Sequence, residues 1–238
     1  MPDNQHSRTV LLIGEENFKK LQNTHVLIAG LGGVGGYAAE QIARAGIGKL
    51  TLIDADTINE SNINRQLIAL HSTVGKKKTD VFETRLKDIN PGIIIHKKEN
   101  FITYENIGEI LDETQPDYVI DAIDTLMPKV NLIKECLSRN IPLVSSMGAG
   151  GRLNPEKIKI ADISETYNCG LARMLRKRLH KFGIRTGFKA VFSSEKIERT
   201  VIIKEESKNK KTNVGTVSYM PAIFGMFCAA VVIQDLID

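Results

Sequence analysis

Apolar residues follow two rhythms along this chain. Short, mainly apolar runs predict strands at 26–29, 50–54, 93–97, 118–121 and 143–147. Between them, apolar residues spaced three and four apart predict helices over 34–45, 76–89, 104–115 and 126–139, and a short helix over 10–21 with Arg8 just before it. Strands this apolar, alternating with helices, imply a parallel sheet covered on both faces. Right-handed crossovers then bring the C-terminal ends of the strands to one rim, where such sheets bind ligands. Beyond Gly151 the rhythm changes. Arg152-Leu153 and Ile158–Ile160 flank Asn154-Pro155-Glu156-Lys157, which reads as a hairpin. A basic amphipathic helix is predicted over about 170–182, strands over Phe188–Phe192 and Thr200–Lys204, a charged loop over Glu205–Asn213, and a closing helix over 221–237.

The first strand runs into Gly30-Leu31-Gly32-Gly33-Val34-Gly35, with G-x-G-x-x-G spacing at Gly30, Gly32 and Gly35. Glycines let the backbone approach a phosphate, and the N-terminus of the following helix directs N–H groups and a positive dipole at it. Asp54 ends the next apolar run, positioned to accept a hydrogen bond from a ribose hydroxyl. The alternative is a glycine turn that serves only helix–sheet packing. The predicted fold class is therefore α/β: a Rossmann-like, doubly wound, mainly parallel sheet with helices on both faces and a C-terminal β/α elaboration. With no internal repeat or long linker, residues 1–238 read as one domain, with a core over about 8–161 and the elaboration over about 162–238.

The residues after Asp54 exceed what a dinucleotide site needs. Asn62 can donate an amide to a phosphate oxygen, Arg65 can form a bidentate fork with one, and Lys78 adds a compact charge. Extra cations beside the glycine turn favour a nucleoside triphosphate, while Lys76 and Lys77 read as a solvated helix start. Asp121 and Asp124 close the strand at 118–121. A carboxylate beside phosphates calls for a divalent cation, so Mg²⁺ is expected on Asp124, and Asp121 reads equally as a ligand or as a strand-end cap.

The 238 residues are 42% hydrophobic and 25% charged, ordinary for a globular protein. The net charge of +4 is local: Thr166–Ser194 holds seven Lys or Arg and no acid, and removing those seven charges leaves −3 for the rest. On the predicted basic helix, Leu171, Leu175, Leu179 and Phe182 form an apolar stripe, leaving Arg173, Arg176, Lys177, His180 and Lys181 outward. That face suits a nucleic-acid backbone or serves only as a solubilising surface. Cys136, Cys169 and Cys228 form neither a disulfide framework nor C-x-x-C zinc pairs, so no zinc is expected and a reducing cytoplasmic setting fits. Met1–Arg8 is polar, so no signal peptide is expected. The apolar run Met220–Ile233 is 14 residues long, short of the roughly 20 that span a bilayer. It reads as a buried or dimer-interface helix, with peripheral membrane association left open.

The ordered set Gly30-x-Gly32-Gly33-x-Gly35, Asp54-x-Asp56, Asn62-x-x-Arg65-Gln66, Val74-Gly75-x-x-Lys78 and Asp121-x-x-Asp124 resembles the ubiquitin-activating-enzyme-like ThiF/MoeB/HesA superfamily over roughly Arg8–Ala161. The resemblance implies ATP binding and adenylation of a carboxylate with release of pyrophosphate. Gly30 and Gly32 would face the phosphates and Asp54 the ribose. Asn62, Arg65 and Lys78 would contact the triphosphate and Asp124 the Mg²⁺. Arg8 matches an arginine that, in dimeric members, reaches ATP from the partner subunit, which implies a homodimer. The second half, through Asp162-Ile163-Ser164-x-Thr166, Leu171-Ala172-x-x-Leu175-Arg176-x-x-Leu179, Val191-Phe192-Ser193-x-Glu195 and Gly215-Thr216-x-Ser218-x-Met220-Pro221-x-x-Phe224-Gly225, resembles the tRNA threonylcarbamoyladenosine dehydratase branch.

That branch implies cyclisation of threonylcarbamoyladenosine at tRNA position 37 through an acyl-adenylate, with Arg173, Arg176, Lys177 and Lys181 as tRNA contacts. A sulfur-relay protein or a cysteine desulfurase is an implied partner. Three other readings stand beside it. An adenylating enzyme for a ubiquitin-like sulfur carrier would ordinarily carry the zinc cysteines this chain lacks. An NAD-dependent oxidoreductase leaves Arg65, Lys78 and Asp124 without work, and a non-catalytic RNA-binding module ignores the rim.

Overall fold

The computed structural model describes residues 4–197, 202–204 and 212–238. In chain order the elements are α1 (Ser7–Ile13), α2 (Glu15–Asn23), β1 (His25–Ala29), α3 (Gly35–Ala45), β2 (Lys49–Ile53), α4 (Lys78–Ile89), β3 (Ile94–Lys98), α5 (Tyr104–Thr114), β4 (Tyr118–Asp121) and α6 (Leu126–Ser138). Then follow β5 (Leu143–Ser146), β6 (Ile158–Asp162), α7 (Gly170–Leu179), β7 (Lys189–Ser193), β8 (Ile202–Lys204), β9 (Thr212–Val214) and α8 (Tyr219–Ile237). The main sheet has the order β3-β2-β1-β4-β5-β7-β6, with every pairing parallel except β6 on β7, and β8 and β9 form a separate antiparallel pair. This is the doubly wound α/β fold. Its strand order reverses between β1 and β4, and that crevice is where such sheets bind ligands.

Most of the apolar runs became strands because both sheet faces are buried there, whereas β3 is a largely exposed edge strand. Val26, Ile28, Leu50, Leu52 and Ile120 face a core under α3, α4 and α8. Leu27, Ala29, Val119 and Leu143 face a second core under α5, α6 and α7. Several expectations need correction. The helix expected over 10–21 is two helices, because Gly14 turns the chain at φ +82°, a conformation that ends a helix. Arg8 accordingly lies inside α1 rather than before a helix. The expected hairpin does not form: residues 155–157 make a single 3₁₀ turn, and Ile158–Asp162 pairs instead with Lys189–Ser193. The elaboration expected from residue 162 thus extends the main sheet. Of the expected strand over 200–204 and the charged loop over 205–213, residues 200–201 and 205–211 lie outside the described residues, and Thr212 and Asn213 open β9.

The apolar C-terminal run sits in a 19-residue helix, long and apolar enough by length and composition to cross a membrane, so its length alone decides nothing. Half of its most apolar stretch is buried. Gly225 allows the contact with α3, since a Cβ there would lie 2.3 Å from the Val34 carbonyl oxygen. Tyr118 and Lys189 each donate to the Asp235 carboxylate and tie the end of α8 to the sheet.

One buried group makes stability depend on pH. His25 on β1 is buried, with Nε2 beside Thr51 Oγ1 at 2.8 Å. Burial, and then the nearby Lys49 and His96, lower its pKa from 6.5 to about 4. Because the folded pKa is depressed, the unfolded chain takes up the proton first. The stabilisation is full above pH 6.5 and is lost as pH falls toward 4, by on the order of 2–3 kcal/mol. Urea unfolding at pH 7 and pH 4.5 should show a smaller loss in His25→Gln than in the parent chain; equal losses would remove His25 as the cause.

Candidate nucleotide site

The glycine turn follows β1 at the β1/β4 crevice. Its glycines serve two different ends. A Cβ on Gly35 would lie 1.8 Å from the Gly30 carbonyl oxygen, and one on Gly30, at φ +90°, would lie 2.9 Å from the Ala122 oxygen. A Cβ on Gly33 would press on Pro221 of α8 at 3.0 Å. Gly30 and Gly35 are required by the protein's own packing, and Gly33 is tightly packed. Gly32 differs: its nearest neighbour would be Gln66 Nε2 at 3.8 Å, so its bare Cα faces open groove. Gln66 is buried, and its Oε1 has no hydrogen-bond partner. A buried amide oxygen left open is a place for a ligand hydroxyl, and turning the amide over would offer its NH₂ to a phosphate oxygen. Gly32→Ala should therefore fold with a Tm close to the parent's yet weaken ATP binding about tenfold or more, about 1.4 kcal/mol per tenfold. Gly35→Ala should not reach the native fold. Thermal melts and ATP titration of both variants check this.

Asp54 stands at the end of β2 as expected, and its carboxylate holds the turn. Oδ2 accepts from the Leu31 N–H at 2.7 Å and Oδ1 from the Asp56 N–H at 2.9 Å. Oδ2 keeps a second lone pair for a ribose hydroxyl. Residues 56–58 fold back on 75–78, through Ile58 N–H to the Lys76 carbonyl and Lys78 N–H to the Asp56 carbonyl. That closure brings the buried Lys78 Nζ to 2.8 Å from Asp56 Oδ2 and 3.4 Å from Asp54 Oδ1. The adjacent Lys76 and Lys77 are exposed but precede the helix, which begins at Lys78 rather than at 76, and Lys77 Nζ pairs with Glu99 at 2.5 Å.

Asn62 is buried in a 3₁₀ turn, where its Oδ1 accepts from the Asn59 N–H at 3.1 Å and leaves the amide nitrogen for any ligand contact. Arg65 Nη1 donates to the Ser61 carbonyl at 2.9 Å and to Asn64 Oδ1 at 2.8 Å, so the guanidinium is steadied from one side. Across the crevice, Asp124 is exposed in the loop after β4. Asp121 is fully buried in an ion pair with Lys129 Nζ at 2.6 Å, and Ser145 Oγ donates to the same carboxylate oxygen at 2.6 Å. It is a fixed structural anion rather than an open ligand. Lys129, Gln66 and Arg152 carry structural or site roles that the chain's spacing did not reveal. Gln66 alone had a signal, its place beside Arg65.

The basic helix departs from expectation in two places. Phe182 is exposed in a 3₁₀ turn that follows α7, because the helix ends at Leu179 and the stripe's periodicity ends with it. Ala172, Leu175 and Leu179 form the buried face. Arg176 is half-buried and turned inward, with Nη1 donating to Thr166 Oγ1 and toward the Ile163 carbonyl at 3.5 Å, while Arg173, Lys177 and Lys181 are exposed. All three cysteines are buried free thiols, and burial pushes the pKa values of Cys136 and Cys228 up to about 12.

A glycine turn at a topological switch point, an acid at the next strand end and converging cations define an α/β nucleotide-binding protein. Residues 6–238 match the ThiF family, and the chain belongs to it. It is 41% identical to the tRNA threonylcarbamoyladenosine dehydratase of Bacillus subtilis, over 98% of this chain and 94% of that protein. The crystal structure of the Escherichia coli tRNA N6-threonylcarbamoyladenosine dehydratase in complex with ATP superposes with a TM-score of 0.89 at 34% identity, covering 98% of this chain and 93% of that one. Similarity to the Escherichia coli sulfur carrier protein ThiS adenylyltransferase, 33% identical, covers only 63% of this chain and 60% of that protein.

Proposed function

We propose that this chain is an ATP-dependent tRNA threonylcarbamoyladenosine dehydratase. The observation that carries the reading is that similarity to such an enzyme covers 98% of the chain, whereas similarity to the sulfur-carrier adenylyltransferase covers 63% of it. In the reaction, the threonyl carboxylate of the modified adenosine attacks the α-phosphorus of ATP and pyrophosphate leaves. A nitrogen of the same modification then attacks the activated carbonyl, and AMP departs with the former carboxylate oxygen. The net change is loss of one water from the nucleoside. The nucleophiles belong to the substrate, so three buried thiols are no obstacle.

Within that reaction, Gly32 admits the phosphates, Asp54 orients the ribose, and Asn62, Arg65 and Lys78 offset charge as the phosphoryl bond breaks. Among the described residues, no group of three or more His, Cys, Asp or Glu side chains could hold a metal ion. A single carboxylate at Asp124 fits Mg²⁺ that arrives on the triphosphate, since that ion commonly takes one or two carboxylates plus phosphate oxygens and water. The chain works as one unit in the cytoplasm, where its tRNA substrate is found.

It works as a homodimer, with Arg8 serving the partner's site. His6 packs at a tilt against Phe18, which lies against Gly46 at the far end of α3 from the glycine turn. An 11-residue helix is about 16 Å long, beyond the reach of one arginine, which supports action across subunits. Leu11 and Leu12 beside Arg8 are 75% and 85% exposed, as an interface would need. A sulfur-relay protein or cysteine desulfurase is a further partner of this reading.

The test incubates the protein with ATP, Mg²⁺ and tRNA carrying threonylcarbamoyladenosine, followed by mass spectrometry of the nucleosides. A product lighter by one water with AMP formed is expected, and Asp124→Ala should slow it by on the order of 10². An unchanged nucleoside would end the dehydratase reading.

A further inference from the structure

A second basic recess lies on the rim that carries the nucleotide groove. It is a cavity of about 350 Å³ between the 166–170 segment and the first turns of α7, with Arg173 and Arg176 on its wall and no carboxylate among its lining residues. Arg176 commits only Nη1 to the loop in the contacts above, and a guanidinium has five N–H donors. α7 is a 10-residue helix whose N-cap, Cys169, makes no side-chain cap bond, so its first N–H groups lack the usual capping partner. The space beside Gly170, where a Cβ would stand, is open to 4 Å.

A third cation lies behind the recess, bonded to one of its lining residues but not itself on the wall. Arg152 is 2% exposed, and its Nη2 donates to the carbonyls of Asn168, at 3.2 Å, and Ser193, at 3.3 Å. Its Nε is buried with no hydrogen-bond partner. Asn168 is held at φ +53°, with Nδ2 donating to the Ser194 carbonyl at 2.8 Å. The recess is therefore a built feature: two arginines and a helix start line one volume with no acid among its lining residues, and Arg152 holds the Asn168 carbonyl from behind. Ser193 ends β7, which lies two strands from β4 in the sheet order, roughly 10 Å at the usual strand spacing.

We propose that this recess seats a backbone phosphate of the RNA substrate, within one or two nucleotides of the reacting carboxylate. The proposal rests on the dehydratase reading and adds to it the element that registers the anticodon loop beside ATP. Arg173 supplies the exposed fork that closes over the phosphate, and the α7 N–H groups and Arg176 receive it from below. Arg152 supplies fixed positive potential from behind.

Two measurements test it. Steady-state conversion of modified tRNA should give Arg173→Ala a tRNA KM about tenfold higher, an unchanged ATP KM, and a salt dependence shallower by about one phosphate contact. Arg173→Lys should fall between, and Lys19→Ala, on the exposed face of α2, should match the parent. Separately, Cys169 is buried but lines the recess at 6% exposure, whereas Cys136 and Cys228 are at 0%, so slow methyl methanethiosulfonate labelling of the native protein reads its occupancy. tRNA should slow labelling at Cys169, and less so in Arg173→Ala. Conversion with an unchanged tRNA KM in Arg173→Ala overturns the recess and leaves the dehydratase reading intact. Protection by millimolar inorganic phosphate but not by tRNA also overturns it, making the recess a free-anion site. Absence of conversion by the parent chain overturns the dehydratase reading and this proposal together.

Discussion

Replacing Lys129 by methionine is expected to lower the free energy of unfolding by about 3–5 kcal/mol, the range for removing one partner of a buried ion pair. Lys129 and Asp121 are both fully buried, and their side chains meet at 2.6 Å. Without the ammonium, the Asp121 carboxylate keeps one hydroxyl donor, Ser145, and the Ile123 N–H at 3.2 Å, but no countercharge. Two controls separate this from lost packing. The double variant Asp121→Asn with Lys129→Met removes the stranded charge and should recover much of the loss. The deficit of Lys129→Met should also shrink as pH falls, because an uncompensated buried carboxylate has a raised pKa and folds more readily once protonated. Urea titrations at pH 8 and pH 5 measure both. A loss below about 1 kcal/mol, against that 3–5 kcal/mol range, would show that the pair is not held as described.

Lys78→Met is expected to cost on the order of 10²–10³ in the rate of adenylation, the scale for losing one preorganised charge beside a developing anion. In the structure Lys78 Nζ bridges Asp54 and Asp56. Asp56 is exposed and Asp54 is fixed against the glycine turn, so the ammonium can turn from Asp56 to a phosphate while staying beside Asp54. Its removal leaves two carboxylates facing the incoming triphosphate, which also weakens ATP binding. Lys78→Arg should restore part of the rate, because the charge returns without the compact geometry. ATP–pyrophosphate exchange in the presence of modified tRNA reads the effect, and a variant at the parent rate would remove Lys78 from the site.

The positions of β1, β2, β4 and β5 were legible to within about one residue at either end, because a short apolar run and a strand buried on both faces are the same physical condition. β3 was placed as closely from Ile93–Ile95, although it is a largely exposed edge strand. The glycine turn was legible for a similar reason. Gly35 cannot carry a Cβ at 1.8 Å from a carbonyl oxygen, so packing demands the residue that the spacing displays. The hairpin expected around Pro155 failed because alternation marks a strand but not its partner. Ile158–Asp162 finds β7 some thirty residues on, at the sheet edge. Phe182 failed because the helical period was carried past Leu179, where the chain tightens into a 3₁₀ turn.

The sequence by itself determined the alternation of strands and helices, the rim on which their ends gather, and the set of side chains able to meet a nucleotide there. These follow from local period and from chain connectivity. Tertiary structure alone decided which charges are committed and which face the groove. Asp121 was drawn into the buried pair with Lys129, Lys78 was delivered to Asp54 by a folded-back loop, and Arg152 was drawn beneath Asn168. A charge can leave water only where partners from other elements satisfy it, and those partners are set by how the elements pack rather than by their spacing along the chain.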